Sequence, residues 1–164
     1  MPDNRDLFET LHKDYRAMVL QMCLGFMKGD REQAKDLEQQ VFINVWQALN
    51  KFNSGSSYKT WIYRITVNTC LKFIRDKKDK YQVSIDDGDI HLADESKPAS
   101  DKAYLPLYRA IGQLTEIDRL IIMMVLDELE YEEISSIIGI SEGNLRVKIH
   151  RIKKNLKTIL ENES

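Results

Sequence analysis

The sequence predicts an all-α fold in which two small helical domains are joined by a flexible acidic linker. Apolar residues recur at spacings of three and four along most of the chain, as in helices with one buried face. The 164 residues include only seven glycines and three prolines, which are the residues that most often interrupt a helix. This apolar spacing is lost in one segment, residues 81–103, where acidic residues dominate and Gly88 and Pro98 interrupt any helix. We therefore expect domains at residues 1–80 and 104–164, with the linker at 81–103.

Three helices are expected in the N-terminal domain. The stripe of the first helix is Leu7, Leu11, Tyr15, Met18, Met22, Cys23 and Phe26, and it should end near the glycines at 25 and 29. Asp30 is a suitable N-cap for the second helix. That helix aligns Leu37, Val41, Val45 and Leu49 on one face. Residues 53–57 form a loop by composition. The buried side of the third helix is predicted to be Trp61, Ile62, Ile65, Thr69 and Phe73.

The C-terminal domain carries the most specific local pattern, a helix-turn-helix. Pro106 suits a helix start, and residues 120–126 are apolar nearly all round, so their helix should be buried. A short helix then ends at Gly139, which can adopt a positive φ, and Ser141 can cap the next helix. The second helix of such a motif normally enters the major groove of DNA.

The faces of that second helix differ in chemistry. Its core side is Leu145, Ile149, Ile152, Leu156 and Leu160. Residues 144–157 carry six bases and no acid, although the whole chain has a net charge of −2. Cations on an exposed face bind phosphates, and Arg146 has the fork that reads guanine. A solvated basic face is the simpler interpretation of such a run, but the Gly139 turn and the Ser141 cap favour DNA binding.

Several other classes of function lack support in the sequence. There is no phosphate-binding, dinucleotide-binding or nucleophile-elbow motif, so an enzyme is not expected. No pair of Cys or His has zinc spacing, so no metal or cofactor is predicted. Cys23 and Cys70 lie in apolar patterns and are expected to be buried, reduced thiols in a cytoplasmic protein. The polar N-terminus is not expected to act as a signal peptide, and no apolar run is long enough to span a membrane.

Aromatic residues alternate with cations around the third helix. Tyr58, Trp61, Tyr63 and Phe73 are interleaved with Lys59, Arg64, Lys72 and Arg75. Stacking rings among cations suit unpaired, single-stranded bases. The alternative is a purely structural set of aromatics on an amphipathic helix, and the pattern alone favours that alternative.

Three segments resemble parts of the extracytoplasmic-function family of bacterial sigma-70-like factors. Asp36-Leu37-Glu38-Gln39-Gln40-Val41-Phe42-Ile43-Asn44-Val45-Trp46 resembles the helix that binds core RNA polymerase. Phe52 and Tyr58–Ile65, followed by Asn68 and Arg75, resemble the segment that melts promoters. Residues 130–157 resemble the domain that binds the −35 element. The resemblance covers about residues 5–80 and 104–160 in order.

The resemblance implies a role for each matching position. Residues implied to bind core polymerase, or to support that surface, are Asp36, Gln39, Gln40, Phe42 and Trp46. Residues implied to contact the melted −10 element are Asn53, Ser54, Ser56, Ser57, Lys59, Trp61, Arg64 and Asn68. Residues implied to face the −35 element are Asn144, Arg146, Val147, Lys148, His150, Arg151 and Lys154. Glu38, Gln40 and Val147 depart from the usual residues of the family at their positions.

The implied partners are core RNA polymerase, through its β′ clamp helices and β flap, and promoter DNA in duplex and single-stranded form. An antagonist protein, an anti-sigma factor, is also expected from the family. The implied function is promoter recognition and melting in transcription initiation. A stand-alone helix-turn-helix regulator is the alternative, but it has no reason to carry the motifs at residues 36–46 and 58–75. A sigma mimic that does not bind DNA is a weaker alternative, since residues 146–157 are basic.

Overall fold

The computed structural model describes residues 3–53, 55–81 and 105–162, and all regular structure in these ranges is helical. The helices are α1 (Asn4–Phe26), α2 (Arg31–Ala48), α3 (Tyr58–Tyr81), α4 (Leu105–Gly112), α5 (Glu116–Leu126), α6 (Tyr131–Ile138) and α7 (Glu142–Asn162), with one 3-10 turn at Leu49–Lys51. The predicted all-α fold is confirmed. Apart from Tyr81, the last residue of α3, the predicted linker at 81–103 lies outside the described residues.

The junction between α1 and α2 forms as the sequence predicts. The chain reverses through Lys28 and Gly29, whose φ angles are 61° and 86°. The Asp30 carboxylate then accepts a hydrogen bond from the backbone N–H of Gln33 at 3.2 Å, which satisfies one free donor of the first turn of α2.

The core of α1–α3 includes the apolar faces predicted for α1 and α2, but the predicted face of α3 is wrong in part. Tyr63, Val67 and Cys70 are buried together with Ile62, whereas Trp61, Ile65 and Phe73 are only partly buried. The reason is that α3 packs against α1, α2 and α6, so it buries two adjoining faces. A single stripe at helical spacing cannot describe a helix that is covered from several sides.

The core of α4–α7 follows its predicted pattern closely. Residues 120–124 of α5 are buried, and Leu126 at the end of that helix is 48% exposed. Ile134 of α6 and Leu145, Ile149, Ile152 and Leu156 of α7 complete this core, with Leu160 at its edge.

The two helical blocks pack directly against each other. Helix α1 contacts α4 and α5, and α3 contacts α6. Gly25 of α1 faces Met123 of α5 so closely that a Cβ at residue 25 would lie 2.3 Å from the Met123 sulfur. The guanidinium of Arg119 lies 5.2 Å from the centre of the Phe26 ring and donates a hydrogen bond to the Leu114 carbonyl at 2.7 Å. One continuous core therefore joins both blocks.

The two cysteines meet inside this core. Cys23 of α1 and Cys70 of α3 are both free and fully buried. A hydrogen bond between the two thiols and burial together raise the pKa of Cys23 far above its ordinary range. A thiol that stays protonated is a poor nucleophile. The prediction that both thiols are buried is confirmed.

Candidate nucleic-acid and polymerase interfaces

The turn between α6 and α7 fixes the direction of the predicted recognition helix. Gly139 adopts a φ of 86° and its N–H donates to the Ser135 carbonyl at 2.8 Å, closing α6 as a left-handed C-cap. The Ser135 hydroxyl donates to the Ile140 carbonyl across the turn. The Ser141 hydroxyl then accepts a hydrogen bond from the Asn144 N–H at 3.1 Å and begins α7. Both residues that the sequence singled out for this turn act as predicted.

Most residues predicted to read the −35 element lie on one open face of α7. The exposed members are Asn144, Arg146, Val147, His150, Arg151 and Lys154. Lys148 differs, because it is half-buried and its ammonium lies 3.9 Å from the Asp118 carboxylate of α5. The sequence around Lys148 on α7 contains no acid, and its partner Asp118 lies on another helix, so the sequence did not indicate this ion pair. Lys148 therefore has a structural contact that the sequence interpretation missed.

The Arg146 side chain packs over an aromatic ring of α6. Its guanidinium carbon lies 5.1 Å from the centre of the Tyr131 ring on α6. A cation over the face of a tyrosine is attracted by the ring and loses some of its freedom to rotate. The sequence places a tyrosine at the first position of α6, but nothing in its spacing indicated this contact.

Residues 53–57, predicted to capture a −10 base, include two side chains with structural contacts. The Asn53 side chain accepts a hydrogen bond from the Gly55 N–H at 3.1 Å. The Ser57 hydroxyl accepts one from the Thr60 N–H at 3.1 Å and so caps α3. Ser56 is half-buried, and Ser54 lies outside the described residues. The loop is thus tied to the start of α3, although its Asn53 and Ser57 remain exposed.

Three aromatic rings form a cluster beside this loop. Phe52 stacks on Tyr58 with ring centres 4.3 Å apart, and Trp61 meets the edge of Phe52 at 5.0 Å. All three are partly exposed. Tyr63 is fully buried, as the structural alternative for this set of aromatics predicts. We name Phe52, Tyr58 and Trp61 the aromatic cluster.

The polar residues predicted along the same strand path differ in their surroundings. Lys59 and Asn68 are exposed on α3. Arg64 is half-buried and donates a hydrogen bond to the Ser136 hydroxyl of α6 at 2.9 Å. Lys59 lies close enough to Asp127, just beyond α5, to affect the pKa of that carboxyl. The C-terminal block therefore borders this surface.

The residues predicted to bind polymerase divide between two grooves on either side of α2. The first groove, between α1 and α2, includes Gln39, Phe42 and Trp46 in its lining. Trp46 is 48% exposed and its ring lies 5.4 Å from that of Phe8. Ile43, which is 50% exposed, also lines this groove and was not singled out in the sequence.

Phe42 and Glu38 line the first groove with side chains that are almost fully buried. Phe42 is 4% exposed and packs edge-on against His12 at 4.6 Å, so it supports the groove and is not itself an exposed contact. Glu38, whose departure from the family pattern put polymerase affinity in question, is buried and pairs with Arg16 at 3.1 Å. Its charge is therefore compensated within the chain.

The second groove, between α2 and α3, includes Asp36 and Gln40 in its lining, both exposed. The Gln40 amide donates to Asn44 at 3.1 Å, and Asn44 donates to the Thr69 hydroxyl at 2.9 Å. This polar chain joins α2 to α3. The five predicted polymerase-binding residues thus belong to one helix but not to one surface.

A third apolar groove lies between α5 and α7, and the sequence interpretation did not assign it to any partner. Its apolar lining is Ile122, Val125, Leu126, Leu156 and Leu160. Lys153, Lys157 and Glu161 also line it. The signal that could have found it was the apolar end of the 120–126 run, where Leu126 remains half exposed.

Other kinds of site are not found in the part of the chain that the structure describes. No group of three or more His, Cys, Asp or Glu side chains there could hold a metal ion. Within the same residues, no helix combines the length and apolar character needed to cross a membrane.

Comparisons with known proteins agree with this architecture. Residues 11–80 match the family Sigma-70 region 2, and residues 104–156 match Sigma-70, region 4. The chain is 28% identical over 167 aligned positions to the ECF RNA polymerase sigma factor SigW of Bacillus subtilis (strain 168), covering 94% of this chain and 89% of that protein. It is 30% identical over 132 positions to the ECF RNA polymerase sigma-E factor of Escherichia coli (strain K12), covering 73% and 69%.

A solved structure shares the fold. The sigma factor RpoE, in a co-crystal structure with the anti-sigma factor NepR from Bartonella quintana, superposes with a TM-score of 0.76 at 20% identity, covering 94% of this chain and 96% of that one. Both sigma-70 regions are present in order, and each corresponds to one helical block. The chain therefore belongs to the extracytoplasmic-function family of sigma-70-like factors, which act with core RNA polymerase to direct promoter recognition in transcription initiation.

Proposed function

We propose that this sigma factor divides promoter recognition between its two blocks. Helix α7 reads duplex DNA of the −35 element, whereas the 53–57 loop and α3 hold unpaired bases of the −10 element. The observation that carries the proposal is the open face of α7, where Arg146, Arg151 and Lys154 are exposed. Exposed cations bind phosphates, and side chains near the start of such a helix reach base edges.

Individual side chains on α7 suit different parts of the duplex. Arg146 can donate two parallel hydrogen bonds to the O6 and N7 atoms of guanine. Val147 is 51% exposed, and an apolar side chain in the major groove suits the methyl group of thymine. Arg151 and Lys154 lie further along the helix, where contacts with the DNA backbone are expected.

Promoter melting follows from the binding of bases after they leave the duplex. The aromatic cluster offers faces on which such bases can stack, and Lys59 and Asn68 lie exposed on the same helix. Base stacking on aromatic side chains contributes about 1–3 kcal/mol per base. This binding energy offsets the loss of stacking within the duplex, which is a few kcal/mol for each extruded base. We propose that no catalytic chemistry is involved.

Core polymerase is proposed to bind at the grooves of both blocks. The first groove presents Trp46 and Ile43 as exposed apolar side chains, which supports a contact with the β′ clamp helices. In this proposal Asp36, Gln39 and Gln40 are polar contacts around it, and Phe42 is a support. The groove between α5 and α7 has the apolar lining that an amphipathic helix needs, which supports a contact with the β flap.

An anti-sigma factor is the proposed antagonist. The support is that the solved RpoE structure holds the anti-sigma factor NepR. Since its polymerase and promoter partners are cytoplasmic, we place this protein in the same compartment.

Run-off transcription tests the proposal as a whole. Purified core polymerase is incubated with genomic fragments, with and without the protein, and transcript start sites are mapped. We expect new start sites that depend on the protein and share paired −35 and −10 sequences. The proposal fails if a correctly folded, inhibitor-free protein adds no start site.

Trp46→Ala tests the polymerase contact. Exposed tryptophans at interface centres commonly contribute 2 kcal/mol or more, so we expect affinity for core polymerase to fall about 30-fold. Gln47→Ala is the matched control, because Gln47 is the exposed neighbour on α2. Equal binding by both variants, measured by titration against labelled core enzyme, would contradict the contact.

A further inference from the structure

Helix α6 contributes one side chain to the face of α7 that is proposed to read duplex DNA. Tyr131 is the first residue of α6 and is half-buried against the core, about one turn before the fully buried Ile134. The Arg146 guanidinium carbon lies 5.1 Å from the centre of the Tyr131 ring, within the roughly 6 Å over which a ring face attracts a cation. A ring that packs against the core therefore contacts an arginine that is exposed on the surface.

An aromatic ring is a suitable support for an arginine that has to remain available to DNA. The guanidinium is planar, so one of its faces can stack on a ring while its N–H donors point outward in the plane. A carboxylate partner would instead accept hydrogen bonds from the donors themselves. Lys148 on the same helix is held in that second way, because its ammonium lies 3.9 Å from the Asp118 carboxylate.

Another arginine of the same chain makes both kinds of contact at once. The Arg119 guanidinium lies 5.2 Å from the centre of the Phe26 ring and also donates a hydrogen bond to the Leu114 carbonyl at 2.7 Å. Arg146 has the corresponding ring contact on an exposed side chain. The O6 and N7 acceptors of a guanine edge can therefore take the place that the Leu114 carbonyl has for Arg119.

We propose that Tyr131 is a positioning residue for base recognition: its ring holds the Arg146 guanidinium in place, so that α6 contributes to the sequence specificity of α7. An arginine that moves freely in water loses the rotation of several bonds when it docks on a base, whereas an arginine already stacked on a ring loses less. The inference rests on the proposed role of α7 in −35 recognition. It adds a residue of α6 that acts on DNA through Arg146.

Two variants of Tyr131 separate the ring from the packing of the side chain. Tyr131→Leu removes the ring but keeps an apolar side chain against the core, and Tyr131→Phe is the conservative variant that keeps the ring face. Glu142→Gln is the matched control, because Glu142 is exposed one turn before Arg146 and is the charged neighbour that could hold it instead. Circular dichroism and urea unfolding establish that each variant is folded before it is compared.

Nuclear magnetic resonance of the free chain tests the contact without DNA or polymerase. Protons that lie over the face of an aromatic ring resonate upfield of their ordinary positions. We expect this shift for the side-chain protons of Arg146 in the wild type, Tyr131→Phe and Glu142→Gln, and its loss in Tyr131→Leu. Arg146 resonances that are the same in the wild type and in Tyr131→Leu would overturn the proposal.

Promoter binding by the holoenzyme tests the consequence for recognition. A promoter identified by run-off transcription competes with versions in which each −35 base pair is replaced in turn, which locates the guanine whose replacement matters in the wild type but not in Arg146→Ala. We expect Tyr131→Leu to reduce discrimination at that base pair about two- to fivefold, and Tyr131→Phe and Glu142→Gln to match the wild type. Wild-type discrimination in Tyr131→Leu, or an equal loss in Glu142→Gln, overturns the proposal.

A double-mutant cycle separates positioning from a general effect on the fold. If Tyr131 acts through Arg146, adding Tyr131→Leu to Arg146→Ala causes no further loss of discrimination. A loss that persists in the double variant shows that Tyr131 acts on the helix-turn-helix as a whole and contradicts the positioning role. Unchanged discrimination by Arg146→Ala at every −35 position would instead count against the proposed reading of guanine, and the positioning role would fail with it.

Discussion

The two surfaces proposed to bind DNA hold their cations in different ways. On α7, Arg151 and Lys154 point away from the protein, and Arg146 rests on a ring of its own block. On α3, Arg64 is bonded to the opposite block through Ser136. The face proposed to read duplex DNA therefore lies within one block, whereas the surface proposed to hold single strands borders both blocks.

This difference follows the order of events expected in initiation. Duplex DNA is present from the start, so a preformed reading face suits it. Unpaired bases exist only after melting, so the surface proposed to hold them is needed only at that later stage. The following predictions test each side of this comparison, from the largest expected effect to the smallest.

Arg146→Ala should remove most of the activity of the duplex-reading face. Loss of a bidentate contact with guanine lowers affinity by about 1–3 kcal/mol, so promoter-specific transcription should fall about 5- to 150-fold. Binding to core polymerase should be unchanged, as measured by titration of labelled core enzyme. Lys13→Ala, an exposed cation on α1, is the control. A parallel loss of polymerase binding would contradict the separation of the two roles, and the same test applies to Arg151→Ala.

Arg64→Ala should reduce transcription by about fivefold, because a single charged contact near the protein surface contributes about 1 kcal/mol. Ser136→Ala separates the two roles of Arg64, since it removes the hydroxyl that accepts its hydrogen bond and keeps the cation. We expect Ser136→Ala to transcribe at least as well as the wild type in run-off assays. An equal loss in both variants would mean that Arg64 acts through the contact between the blocks and not through DNA.

Gly139→Ala tests whether the turn between α6 and α7 requires a glycine. A side chain at a φ of 86° adds about 1–2 kcal/mol of strain, and the free energy of unfolding should fall by that amount in urea titrations. Gly143→Ala should be neutral or slightly stabilising, because alanine favours helix over glycine and has open space there. The turn has no special demand for glycine if both variants unfold at the same urea concentration.

Asp127→Asn should have the smallest effect, on stability as a function of pH. Burial raises the pKa of the Asp127 carboxyl above its ordinary value of 3.8, and nearby Lys59 opposes that rise. The folded protein thus binds the proton more tightly than the unfolded chain, so this contribution is full below pH 3.8 and is lost as the pH rises through the folded pKa. The variant should be slightly more stable than the wild type at neutral pH, where the charge also sits unfavourably at the C-terminus of α5. A wild-type advantage at neutral pH in urea unfolding would reverse this sign.

The sequence predicted the helix-turn-helix well because that motif is determined locally. The Gly139 turn, the Ser141 cap and the buried face of α7 each depend on residues within a few positions of one another. Where a helix buries a single face, its apolar period identifies the opposite face as well. The exposed residues of α7 therefore followed from its buried ones.

The N-terminal surfaces were harder to predict because their helices have several neighbours. The sequence left open whether Tyr63 and Phe42 are contact residues or structural ones, and the structure shows that other helices cover both. Contacts between distant parts of the chain do not appear in the apolar spacing of either helix. Examples are Arg64 with Ser136, 72 residues apart, and Lys148 with Asp118 on another helix. Assigning such side chains requires the packing of whole elements.

The two tryptophans of the chain stand at different N-terminal surfaces. Trp46 lies at the first groove and Trp61 in the aromatic cluster. Indole emission shifts to shorter wavelength when a partner removes water from the ring, and stacked nucleobases quench it. The variants Trp46→Phe and Trp61→Phe would therefore each leave one intrinsic fluorophore, the first reporting on single-stranded DNA and the second on polymerase. Stopped-flow fluorescence could then follow the order in which the two partners arrive, without attaching a dye to the protein.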